Sequence, residues 1–409
     1  MSILFKIALR NVFRNKRRTL ITLLAISFGI IALMLFGGFM NAAFEGIREG
    51  FIHGRLGHLQ IFKEGYWENK GKEPLKFSIS DYRGIENIIQ DIPHVDFTMA
   101  RTEFNGLVSN GRNSFIFIGK GVEPEKEKRL GMGAFVKIVE GEVLSSETPD
   151  GMMAGKGLAR QLDMPIGEYL SIMTITADGA LNAIDTKLIG IFETGVKEYD
   201  ERILMLPLGL SQDLLWMDSV QSIITVLDKT ENTNLVASEL RQKFEEEGLS
   251  LEIKTWSELA YFYHQVVKIY HTMYNFLKII IGTIVVLSIF NTMTMSVLER
   301  TREIGTIRAL GTGRRGVLAL FTLEALIIGL IGGLLGLFFG SIACVGITHA
   351  GINMPPPPGY TLGYPLYIKL VPWVMISSFI LAIITALLAG LFAAFRGSRL
   401  EIVNALRHF

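Results

Sequence analysis

Cysteine is almost missing: the 409 residues hold one, Cys344. A single thiol leaves no disulfide framework and no cysteine-based zinc site within one chain. Cys344 lies inside an apolar run, where a thiol is ordinarily a small packing residue. It is also too far from the N-terminus to be a lipoprotein acylation site. Charge is scarce as well. Charged residues make up 19% of the chain, against about a quarter in soluble domains. The net charge of +1 leaves no global basic field for nucleic acid. The seven histidines are scattered. His53 with His58, and His264 with His271, lack the acidic or cysteine partners that a metal site needs, so all read as interfacial or surface residues. No serine stands in a G-x-S-x-G context, so nucleophilic hydrolysis has no support. The run Gly151–Gly157 resembles a phosphate loop, but its spacing is one residue short and no Ser or Thr follows Lys156. No catalytic residue and no metal ligand is assigned, and the chain reads as a non-enzyme.

Long apolar runs are what the sequence does have. Leu20–Met40, Ile279–Val297, Ala325–Thr348 and Leu370–Phe395 carry no charge. About 20 such residues cross the hydrocarbon of a bilayer, and a buried helix of a soluble core rarely sustains so long a run. The first run is too long for a signal peptide and no clear A-x-A site follows it, although Ala42 and Ala43 are small. Lys6, Arg10, Arg14, Lys16, Arg17 and Arg18 precede the first run. Arg300, Arg302, Arg308, Arg314 and Arg315 separate the second from the third, and Arg396, Arg399 and Arg407 follow the fourth. The loop 349–369 carries only Lys369. Short loops rich in Lys and Arg stay in the cytoplasm, which places both termini and the 299–316 loop inside. Residues 42–270 and 349–369 then lie outside.

The fold class is therefore an α-helical membrane protein with four transmembrane helices. A mixed α/β extracytoplasmic (periplasmic) domain is inserted between the first and second. The expected segments are a basic N-terminal stretch 1–19, spans 20–41, 271–298, 317–348 and 370–395, the domain 42–270, loops 299–316 and 349–369, and a tail 396–409. Within the domain, His58–Phe62, Ser114–Gly119, Tyr169–Thr174, Lys187–Phe192, Ile203–Pro207 and Ser222–Leu227 read as strands. Asp81–Gln90, Gly155–Leu162 and Asn232–Glu247 read as helices. The pattern suggests two interleaved parts, one from 45–120 plus 210–265 and a strand-rich insertion near 121–209. Asp200, Glu201, Glu125 and Lys126 read as solvated turns. A helix over 257–298 is expected to run unbroken past His271, with Trp256, Tyr261, Phe262, Tyr263, Tyr270 and Tyr274 at headgroup level.

The loop after the second run reads Glu299-Arg-Thr-Arg-Glu-Ile-Gly-Thr-Ile-Arg-Ala-Leu-Gly311. Ile304, Ile307 and Leu310 recur as in a short amphipathic helix, and Gly311 and Gly313 stop it. Such a helix either lies on the membrane or docks into a cytoplasmic partner. Glu324, at the edge of the third run, reads as a cap or as a partner for Arg314 or Arg315 rather than part of an ion pathway.

That loop closely resembles the signature of the FtsX-like ABC transporter permeases, which include the macrolide exporter, the lipoprotein-releasing complex and the cell-division permease. The resemblance extends to the basic start Ala8–Thr19, to "GKGLARQLDMPIGEYL" at 155–170, to Glu324-Ala-Leu and to "RLEIVNALR" at 399–407. Ala393 and Ile402 depart from it, standing where the family usually has prolines. The resemblance implies that the loop is a coupling helix seated on a separate ATPase, through Glu299, Arg302, Glu303, Ile304, Ile307, Arg308 and Leu310. It implies two ATPase copies that bind ATP and Mg, no cofactor in this chain, a second permease (identical or homologous) and an inner-membrane location. The mechanism it implies is mechanotransmission, in which cytoplasmic ATP use moves the outer domains.

The lack of a fused ATPase favours lipoprotein release from the membrane. The alternatives are efflux of small molecules or peptides with a periplasmic adaptor and an outer-membrane channel, or signalling like that of the cell-division permease. Phe36, Phe39 and Met40, facing Phe276 and Ile280, are expected to line an apolar cargo groove at the outer leaflet. Gly329, Gly332, Gly333, Gly336 and Gly340 provide small-residue faces for helix packing, within one protomer or between two.

Overall fold

The computed structural model describes residues 3–398 except 71–72, 74, 133–134, 164 and 357–358. The chain divides into two units. One gathers the residues up to Glu45, Val266–Met354 and those from Pro365 onward. The other comprises Gly46–Gln265 and Pro355–Tyr364.

Four helices among the described residues are long and apolar enough to cross a membrane. They are Lys16–Phe51, Tyr261–Glu299, Arg314–His349 and Pro372–Ser398, here the first to fourth long helices. The second starts at Tyr261, after a short helix Trp256–Leu259 ending at Ala260, and continues unbroken past His271. In the first unit, glycines set how closely the helices approach. A Cβ on Gly332, Gly336 or Gly340 would stand 3.0, 2.8 or 2.7 Å from Ile26, Ile30 or Met34 of the first helix. A Cβ on Gly329 or Gly333 would stand 2.6 or 2.7 Å from Ala386 or Phe379 of the fourth. The third helix is thus wedged between two neighbours of its own chain, and each of these glycines faces one of them. Two polar contacts fix the register: Ser27 Oγ donates to the Gly332 carbonyl at 3.0 Å, and the hydroxyls of Thr22 and Thr292 lie 2.6 Å apart. Ala393 is buried in the fourth helix, which runs straight through it.

Residues 3–14 form a separate amphipathic helix, Ile3–Arg14. Ala8 and Val12 are buried, while Leu4, Ile7 and Phe13 are exposed. The basic N-terminal stretch expected from the sequence is therefore helical.

The second unit is built on one sheet whose described strands are β1 (Leu59–Lys63), β2 (Val95–Ser109), β3 (Ser114–Val122), β4 (Lys137–Gly141), β5 (Gly151–Gly155), β6 (Tyr169–Ile175), β7 (Leu181–Glu193), β8 (Ile203–Pro207), β9 (Ser222–Leu227) and β10 (Leu251–Thr255). Their order is β10-β1-β9-β2-β3-β8-β5-β7-β4, with β6 pairing β2 and β7. The β3–β8 and β5–β7 pairs are parallel; the others are antiparallel. The long strand β2 spans the unit. Its first half pairs with β9 and its end pairs with β6 on the same edge. Two apolar cores flank this seam. Helices Tyr82–Gln90 and Thr233–Glu246 cover β1, β9 and β10 through Ile85, Ile89, Val236 and Leu240. Helices Lys156–Leu162 and Leu208–Leu215 cover the strands from β3 to β8 through Leu158, Leu162, Leu214 and Leu215. Strands from both of the expected parts thus lie in one sheet. Asp200 is not a solvated turn residue. It is 3% exposed, and its Oδ1 accepts from the Thr194 amide and hydroxyl at 2.9 and 2.6 Å.

The phosphate-loop lookalike is strand β5, buried along its whole length. Lys156 follows it and pairs with Glu193 at 3.1 Å, so the lysine is spent on a structural ion pair.

Candidate functional site

The loop between the second and third long helices forms the helix Thr301–Ala309, capped by Arg300 and Leu310. Gly311, at φ +101°, turns the chain, and the third long helix starts at Arg314. Only glycine takes that backbone angle without strain.

The loop helix is held at its base by a polar network. Arg300 is 7% exposed. Its Nη1 donates to Glu324 Oε1 at 2.9 Å and its Nε donates to Glu303 Oε2 at 2.9 Å. Asn11 of the N-terminal helix donates to the same Glu324 oxygen at 2.6 Å. Arg14 reaches Glu303 at 2.7 Å. Arg18 holds Glu299 with two hydrogen bonds, at 2.6 and 3.2 Å, and Asn15 adds a third at 3.1 Å. The hydrogen bond from Arg300 holds the Glu303 carboxyl below its ordinary range. Side chains of the basic N-terminus thus bind the loop.

This corrects two expectations. Glu324 pairs with Arg300 and Asn11, not with Arg314 or Arg315. It sits ten residues beyond Arg314 in the same helix, about 15 Å along the axis and out of that arginine's reach. The apolar stripe also splits. Ile304 is 4% exposed and packs with Val297, Val317, Phe321 and Ala394. Ile307 is half-exposed and Leu310 is 83% exposed. Residues three and six apart drift by roughly 60° and 120° on a helix of 3.6 residues per turn, so Leu310 faces away from Ile304. Glu299 and Glu303 are engaged within the chain, and Arg302 is exposed.

Of the expected cargo-groove residues, Phe36 and Met40 share one apolar cluster, whereas Phe39, Phe276 and Ile280 stand apart from it. Met40 is buried with Leu33, Tyr274 and Val374, and Phe36 stacks on Tyr274 at 6.1 Å. Phe39 packs against the main helix core. Phe276 and Ile280 are 64% and 54% exposed. Tyr274, Leu277 and Ile281 take the inward face of the second helix, so the pair four residues apart at 276 and 280 faces outward. An apolar groove lies between the second and fourth long helices. Its volume is about 340 Å³ and Ile279, Gly282, Val286, Leu287 and Leu381 line it. The tail residues Arg399, Ile402 and Arg407 lie outside the described residues.

Comparison with known proteins fits this arrangement. Residues 19–243 match the MacB-like periplasmic core domain, and residues 275–402 match the FtsX-like permease C-terminal region. The chain belongs to the FtsX/MacB/LolC family of ABC transporter permeases, multi-pass membrane proteins that work with ATPase subunits. Among its relatives is the lipoprotein-releasing system transmembrane protein LolE of Haemophilus influenzae, 22% identical over 80% of this chain and 81% of that one. The ABC transporter permease YtrF of Bacillus subtilis is 22% identical over 97% of each chain. The macrolide export ATP-binding/permease protein MacB of Wolinella succinogenes is 34% identical, over 32% of this chain and 19% of that one. A solved structure of the MacB periplasmic region from Actinobacillus actinomycetemcomitans aligns at TM-score 0.37 and 13% identity, covering 51% of this chain and 92% of that one.

Proposed function

We propose that this chain is the permease subunit of an ATP-driven transporter that releases lipid-anchored protein from the membrane. ATP and Mg are bound by two copies of a separate ATPase, and a second permease completes the assembly. The loop helix Thr301–Ala309 faces the cytoplasm with both termini and seats the ATPase. The observation that carries this reading is Leu310. It is 83% exposed at the end of a helix whose base is locked by Arg300 and Glu324. A rigidly held helix presenting an apolar tip is built to dock, since a helix resting on lipid needs no buried ion pair at its root.

The cargo assignment is supported by similarity to LolE along most of both chains. The groove at Ile279, Leu287 and Leu381 suits an acyl chain. Photo-crosslinkers at these three positions in a cell expressing the full transporter test the assignment. Capture of an acylated protein is expected. Capture of cargo only from positions in the 46–265 unit would favour efflux from outside the membrane instead.

A further inference from the structure

Strand β2 changes partner midway along one edge, from β9 to β6, and the residues between are left to side chains. The Glu103 amide donates to Gln221 Oε1 at 3.1 Å, in place of a strand. Beside this gap lies a cavity of about 170 Å³ whose walls include Arg55, Leu56, Trp67, Lys70, Glu103 and Leu259. Arg55 and Leu56 belong to the one π-helical turn among the described residues, Ile52–Leu56, a distortion that recurs at functional sites.

The chemistry of the wall is lopsided. Arg55 lies 4.5 Å over the Tyr199 ring and Lys120 lies 5.5 Å from it. Lys120 is 2% exposed and stands opposite Glu103 in the β2–β3 register. Arg101, 1% exposed, donates to the Arg55 carbonyl and to Glu127, each at 2.6 Å, which neutralises Glu127. Lys70 lies 4.5 Å over the Trp67 ring. Arg55, Lys70, Arg101 and Lys120 therefore stand together with Glu103 and Glu127 around this wall. Burial, then the Arg101 charge, pushes Lys120 down to about 7. Burial pushes Glu103 up, but Lys120, Lys70, Arg101 and Arg55 outweigh it and keep the carboxylate ionised. Trp67 Nε1 and Arg101 Nε are enclosed donors without an acceptor among the described residues. A buried N–H left unpaired costs free energy, and Trp67 is one of the residues that line the cavity.

We propose that this cavity binds an oxyanion, a carboxylate or a phosphate, at the end of a ligand whose short apolar stem rests against Leu56 and Leu259. The Trp67 indole and the Arg55 and Lys70 side chains supply the donors, and the two cationic side chains supply the charge. The proposal does not depend on the transport reading.

The test uses the full chain in neutral detergent, labelled with fluorotryptophan. It has four tryptophans, Trp67, Trp216, Trp256 and Trp373, and Trp67→Phe assigns the signal. Titration with inorganic phosphate and, separately, with N-acetylglycine is expected to shift the Trp67 resonance saturably and leave Trp216 and Trp373 still. A response to phosphate alone assigns a phosphoryl ligand, and a response to N-acetylglycine alone assigns a carboxylate. Arg55→Gln and Lys70→Gln should each weaken the response about tenfold, the worth of one charge-assisted hydrogen bond. Both side chains lie at the rim, and Arg101 contacts the Arg55 backbone, so unmoved Trp216 and Trp256 signals report an intact fold. No saturable shift with either anion, or one that both variants leave unchanged, would mean that the cavity holds only solvent.

Discussion

Arg300 and Glu324 meet at 2.9 Å with their side chains 8% and 3% exposed, and through them the loop helix is bolted to the third long helix. Two charges taken out of water are costly, and the pair survives because Glu303 and Asn11 complete its hydrogen bonds. Removing one partner strands the other. Glu324→Gln or Arg300→Gln should each lower unfolding stability by roughly 3–5 kcal/mol, read from thermal unfolding of the detergent-solubilised chain. The double change Arg300→Met with Glu324→Leu should recover most of that loss. Additive losses in the double variant would show that the two residues act separately.

A second expectation concerns the glycine stripe. Gly336→Val places atoms where Ile30 Cβ is 2.8 Å and the Ser27 carbonyl 3.1 Å from a first Cβ. Overpacking of that kind costs about 1–3 kcal/mol. Gly346→Ala, in the same helix with nothing within 4 Å of its Cβ position, should be neutral or stabilising by up to about 1 kcal/mol. Equal behaviour of the two variants would remove the close-approach argument.

His58 supplies a pH dependence. It is 1% exposed. Its Nδ1 accepts from the Leu227 amide at 3.1 Å, leaving Nε2–H for Thr230 at 3.2 Å, so the neutral ring fits. Burial, and secondarily the nearby His53 and Arg48 charges, lowers its pKa from 6.5 to about 4. The folded state therefore binds the proton more weakly than the unfolded chain. The His58 contribution is full above pH ~6.5 and is lost as pH falls toward 4, reaching on the order of 3 kcal/mol. Thermal unfolding of the chain across that range should show this loss, and His58→Gln should lack it. An unchanged pH profile in His58→Gln would refute the assignment.

Much of this architecture was legible in the sequence, for physical reasons that vary by element. Spans are long and uncharged, so composition alone marks them. Strands Ile203–Pro207 and Ser222–Leu227 are dense in branched apolar residues and were read to the residue. Strand β2 was not read. Its middle carries Arg101, Glu103, Asn105 and Gly106, which look like loop chemistry until Glu127, Lys120 and Gln221 are brought beside them from elsewhere in the chain. Strand β5 is too short for periodicity, and its glycines suggested a phosphate loop. The N-terminal helix left a usable signal, with Phe5, Ala8 and Val12 recurring at helical spacing beneath the basic residues. At the 299–311 loop a stripe counted in threes ignored helical drift and so joined buried Ile304 to exposed Leu310.

The central claim is that the loop helix seats an ATPase through its exposed apolar tip. An apolar anchor of this size contributes roughly 1.5–3 kcal/mol when buried in a partner, which is about tenfold or more in affinity. The direct measurement is co-purification of the ATPase with the full-length permease carrying Leu310→Asp or Ile307→Asp, alongside Ile304→Val as an inward-facing control. The account predicts that the two aspartate variants insert and unfold like the parent but lose bound ATPase, while Ile304→Val retains it. Full retention of ATPase and transport by Leu310→Asp together with Ile307→Asp would contradict it.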